Sequence, residues 1–77
     1  MAVQAYIFIE CEHAKLKDVY NALIKVGGVR DAKIVTGSYD IIAFVEASNF
    51  KVLGEVVMSK IQSIEHVNRT VTNVIID

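Results

Sequence analysis

The 77-residue sequence contains no proline and a single cysteine. It has no Gly/Ser-rich stretch and no low-complexity tract, so nothing of linker composition divides it, and it reads as one compact unit over 1–77. The lone Cys11 excludes a disulfide framework and fits a reducing, cytoplasmic interior. With only Cys11, His13 and His66 as soft ligands, a metal-clasped mini-domain is not expected, and no metal site or cofactor is assigned. Basic residues are scarce as well. Eight Lys and Arg stand against nine Asp and Glu, a net charge of −1, and no three basic residues are consecutive. Nucleic-acid affinity rests largely on neutralised phosphates, so direct nucleic-acid binding is not expected. No apolar run approaches the ~18 residues of a membrane span. The start, Met1 to His13, lacks the basic residues of a secretory signal. Without such a signal, the sequon Asn68-Arg69-Thr70 is a coincidence.

Apolar side chain is abundant instead, at 53% against 22% charged. A chain this short buries only about 60% of its unfolded surface. Surplus apolar residues in so small a domain imply a face that another chain covers.

Val3 to Cys11 is rich in β-branched and aromatic residues and reads as a strand. From Ala14 to Val26, Leu16, Val19, Tyr20, Leu23 and Ile24 recur at steps of three and four, the mark of an amphipathic helix. Gly27-Gly28 stops it. Val29 to Thr36 and Tyr39 to Ala47 read as strands joined by a two-residue hairpin turn at Gly37-Ser38. Ser48 or Asn49 caps a second helix carrying Phe50, Leu53, Val57, Ile61 and Ile64 on one stripe. Gly54 inside it costs about 1 kcal/mol relative to alanine and weakens its regularity. Val67 to Ile76 is the last strand. The order βαββαβ with right-handed crossovers gives an α+β, ferredoxin-like sandwich. Two helices cover one face of a four-stranded antiparallel sheet whose middle strands are the first and third.

The other face of that sheet is apolar too. Tyr6 and Phe8 alternate with Val3, Ala5, Ile7 and Ile9. Ile42 and Phe44 alternate with Ile41, Ala43 and Val45, and Val71 and Ile75 oppose Val74 and Ile76. Removing roughly 600 Å² of such surface from water is worth on the order of 15 kcal/mol gross, before association costs. Two sheets meeting face to face in a dimer, an α/β barrel-like assembly, are therefore expected.

Catalytic signals are thin. A Cys–His nucleophile needs a base in hydrogen-bond reach, and the spacing of Cys11, His13 and His66 does not promise one. Cys11 reads as apolar filler and the histidines as loop residues, so no catalytic residue is assigned. No glycine-rich phosphate loop is present, since Gly27-Gly28 follows a helix. One segment stands out, Thr36-Gly37-Ser38-Tyr39-Asp40. Accessible N–H groups at a tight turn can bind a carboxylate, and Asp40 can meet an ammonium group, a combination suited to a free amino acid. Equally, Ser38 and Asp40 can serve only the turn itself.

The run from Val29 to Glu46, with Thr36-Gly37-Ser38-Tyr39-Asp40 at its centre, resembles the signature of the Lrp/AsnC family. Its effector domain, RAM, has T-G-x-[YF]-D followed by an apolar strand. Val67-Asn68-Arg69-Thr70-Val71-Thr72-Asn73-Val74-Ile75 is similar to the family's V-x-x-T-x-T-x-x-V ending. Together the two motifs span essentially the whole chain. The resemblance implies a βαββαβ domain that dimerises through its sheets and associates further, up to an octamer. It implies an amino-acid effector held between dimers by Gly37, Ser38, Tyr39 and Asp40, with Thr70 and Thr72 from the last strand. It further implies a stand-alone RAM protein without the family's helix-turn-helix, acting on transcription indirectly through a full-length Lrp/AsnC-type partner. The rival readings are an ACT-like regulatory subunit of an amino-acid biosynthetic enzyme and a small dimeric α/β-barrel enzyme. The apolar open face disfavours the first and the scarcity of acid or base candidates the second.

Overall fold

The structure, a computed structural model, describes residues 2–77. Four strands, β1 (Val3–Cys11), β2 (Val29–Ile34), β3 (Ile41–Ala47) and β4 (Val67–Val74), form one antiparallel sheet in the order β2-β3-β1-β4. The first and third strands are central, as the element order with right-handed crossovers predicts. Helices α1 (Leu16–Leu23) and α2 (Phe50–Glu55) each precede an edge strand.

Register explains the two faces. Ala5, Ile7 and Ile9 stand opposite Val45, Ala43 and Ile41 and are fully buried with them. Val19 and Leu23 of α1, Leu53 of α2 and the following Val56, Val57 and Ile61 complete this core. Tyr6 and Phe8 point the other way, opposite Phe44 and Ile42.

Local chemistry shortens or bends several expected elements. The first helix begins as a 3-10 turn over His13–Lys15 and its α-helical part ends at Leu23, short of Val26. Asn49 caps α2 by accepting from the Val52 N–H at 2.8 Å. Just past Gly54 that helix widens into a π-helical stretch, Val56–Ile61, closed by Gln62 N–H donating to Val57 O at 2.8 Å. Val56, Val57 and Ile61 of this stretch are all buried. Phe50, expected on the core stripe, is the first residue of α2 and is 67% exposed.

The chain turns into β2 through Gly28, whose φ of +100° suits glycine. A Cβ there would meet Glu46 O and Val56 Cγ2, both at 3.3 Å. Gly28→Ala is therefore expected to lower stability by about 1–3 kcal/mol, read as a reduced urea midpoint at unchanged slope.

Candidate functional site

The connection between β2 and β3 is longer than a two-residue hairpin. Val35 N–H donates to Asp40 O at 2.9 Å, which leaves Thr36–Tyr39 as a four-residue loop. Gly37 takes φ +112°, and a Cβ placed on it would meet nothing within 4 Å. The amides of Thr36, Gly37, Ser38 and Tyr39 have no hydrogen-bond acceptor among the described residues.

This loop is pinned at both shoulders. Asp40 N–H donates to Ile9 O at 2.9 Å, and Asp40 Oδ2 accepts from the Cys11 N–H, also at 2.9 Å. The register between β1 and β4 slips at Glu10/Cys11, which ends the regular ladder there. Asp40 supplies the acceptor that this amide needs. Its other oxygen lies 3.8 Å from His13 Nδ1. Asp40 is thus committed to holding β1 against the loop. On the opposite shoulder the Tyr39 ring lies 5.6 Å from that of Phe8. Arg69 Nη2 donates to the Tyr39 hydroxyl at 2.8 Å, and its guanidinium carbon stands 5.3 Å from the ring centre.

Gly37, Ser38, Tyr39 and Asp40 are therefore together in space. Thr70 and Thr72 are apart from Tyr39. They pair with Ile9 and Ile7, whose side chains face the helices, and Thr70 Oγ1 accepts from Gln62 Nε2 at 2.9 Å. Tyr39 packs on Phe8, across the sheet from them. The β4 side chain that reaches the loop is Arg69, which sequence reasoning missed. Its parity with Val71 was the available signal.

The open face has the composition of an interface. Tyr6 and Phe44 rings lie 5.4 Å apart, with Ile42 and Val71 flanking Phe8. Around this apolar centre runs a polar rim. Gln4 Nε2 donates to Glu46 at 3.1 Å, Arg30 lies 3.5 Å from Glu46, and Lys33 lies 3.8 Å from Asp31. An apolar core with a charged border is the anatomy of protein–protein contact surfaces.

The possible nucleophile is placed against catalysis. Cys11 is buried, and burial, then the Asp40 and Glu12 carboxylates, push its thiol above the ordinary range. His66, at φ +76°, directs Nδ1 to Glu12 and holds Nε2 3.5 Å from Glu65. Neither imidazole hydrogen-bonds the thiol among the described residues. Alkylation of Cys11 by iodoacetamide at neutral pH is expected to be slower in the folded protein than in urea by at least about a hundredfold, since it awaits opening of the core. Equal rates would mean an accessible thiol.

An apolar cleft of about 600 Å³ lies elsewhere, between Val3, Phe50, Val74 and Ile76 at the far end of the sheet. Among the described residues no helix is long and apolar enough to cross a membrane.

A family model described as "Lrp/AsnC ligand binding domain" matches residues 4–77. The HTH-type transcriptional regulator PF0250 of Pyrococcus furiosus is 38% identical over 58 residues, covering 75% of this chain and 39% of that protein. The chain thus spans about two fifths of that relative's length. Among solved structures, TTHA0845 of Thermus thermophilus superposes with a TM-score of 0.93 at 28% identity, over 97% of this chain and 94% of that one. AsnC of E. coli superposes with a TM-score of 0.91 at 26% identity, over 97% of this chain and 51% of that one.

Proposed function

Because this chain belongs to the Lrp/AsnC ligand-binding-domain family, we propose that it is an amino-acid-responsive assembly module and not an enzyme, working in transcription regulation through the proteins it joins. The observation that carries this reading is the Thr36–Tyr39 loop, whose four amides are unpaired while both of its shoulders are fixed. Such a loop presents preorganised donors to an anion such as a carboxylate. Gly37, Ser38 and Tyr39 supply the backbone of the site. Asp40 keeps it in place, and Thr70 and Thr72, being across the sheet, act from a neighbouring protomer. The open faces of two sheets pair to form the dimer, and dimers associate around the loops, as far as an octamer. The domain works as a single unit over 1–77, in the cytoplasm, alongside a full-length Lrp/AsnC-type partner.

Linkage gives the mechanism. An effector that binds only where dimers meet favours the assembled form. With free ligand at ~100 times its dissociation constant, each site contributes about 2.7 kcal/mol. Native mass spectrometry of the chain, alone and with each of the twenty L-amino acids, tests this. The expected result is a shift to larger assemblies carrying one bound amino acid per loop. An unchanged mass distribution with every amino acid contradicts the reading.

A further inference from the structure

The two arginines of the chain are placed very differently. Arg30 is paired with Glu46 at 3.5 Å. Among the described residues Arg69 has no carboxylate within 4.0 Å, although Glu10 faces it in register across the β1–β4 pair. Arg69 is nonetheless held still. One of its nitrogens donates to the Tyr39 hydroxyl at 2.8 Å, and the guanidinium lies over the Tyr39 ring. A guanidinium carries five N–H donors in a planar fork that fits a carboxylate. One of them is engaged here, on the side chain of Tyr39, the residue that closes the loop of unpaired amides. A braced cation without a carboxylate partner, tied through Tyr39 to a loop whose amides have no acceptor among the described residues, suits an anionic ligand group.

We propose that Arg69 reads the carboxylate of the amino acid bound at the Thr36–Tyr39 loop, and so sets the preference for free acids over their amides. This rests on the loop being the effector site. Tyr39 then acts as a positioning residue, presenting the guanidinium at a fixed angle. Lysine cannot replace the fork, because an ammonium is a point charge with no planar face to lay on the ring.

Isothermal titration with the twenty L-amino acids, and with the carboxamide of each one that binds, tests the assignment on wild type, Arg69→Met and Arg69→Lys. Thermal unfolding of each variant checks that it folds. Arg69→Met keeps an apolar stem over Tyr39 while removing the charge. It is expected to weaken the acids by about tenfold to a hundredfold and to leave the amides unchanged. Arg69→Lys is expected to fall between, and it serves alone should the methionine variant not fold. Equal loss for acids and amides means that Arg69 only braces Tyr39, and unaltered affinity for both removes it from the site. Either result overturns the assignment while the loop remains the effector site. Failure of every amino acid to bind wild type overturns the effector reading, and this one with it.

Discussion

Phe44→Arg is expected to split the assembly into folded single chains. Phe44 lies at the middle of the open face, against Tyr6 and away from the buried Ala43 and Val45. The substitution therefore leaves the helix-side core intact. In a sheet-to-sheet dimer it places an unpaired charge at the desolvated centre of the contact, where truncations and charges cost most. The sheet-to-sheet dissociation constant should rise by at least about a hundredfold, measured by sedimentation equilibrium. A charge reversal at an exposed helix position, Lys17→Glu, should change nothing. A Phe44→Arg protein with the wild-type mass would place the contact elsewhere.

Ile7→Ala should be the most damaging single truncation. Ile7 is fully buried between the two central strands and the helices. Removing three carbons from such a site costs about 2–5 kcal/mol. A domain of this size holds roughly 4–12 kcal/mol in total, so the variant should melt lower by on the order of 10 °C or more. Because association stabilises whatever it binds, the loss should be partly recovered as protein concentration rises. Scanning calorimetry at several concentrations reads both effects. A loss well under 1 kcal/mol would mean that the core tolerates collapse around Ile7.

Much of this architecture is legible in the residues because period and burial agree. β1 was readable from Val3 to Cys11 to its last residue, since both of its faces are apolar and a central strand has no polar side. The pairing of β1 with β3 followed from element order and handedness. Less legible were features that one long-range bond decides. Nothing local says that Asp40 turns back to the Cys11 amide, so Gly37-Ser38 resembled a two-residue hairpin when four residues separate Val35 from its partner Asp40. Phe50 kept helical spacing, yet the stripe does not say that the residue opening the helix lies outside the core. Gly54 flagged an irregular helix but not its π-helical form over Val56–Ile61.

The candidate site was legible in the same uneven way. The loop was found from its small residues and its resemblance to a family motif, and its four residues are together in the fold. Thr70 and Thr72 do share a sheet face, as a spacing of two requires. Which face that is depends on the register with Ile9 and Ile7, and it turns out to be the helix side. The β4 contribution to the loop comes from Arg69, whose neighbour Tyr39 is thirty residues away in sequence.

A crystal structure of the chain grown with an amino acid that binds it would settle the loop's role most directly. The expected density is a carboxylate against the amides of Gly37 and Ser38 and the Arg69 guanidinium, with Phe8 and Phe44 sealed beneath a second sheet. An amino acid seated instead between Phe50 and Ile76, with the Gly37 loop unoccupied and the aromatic face in solvent, would contradict it.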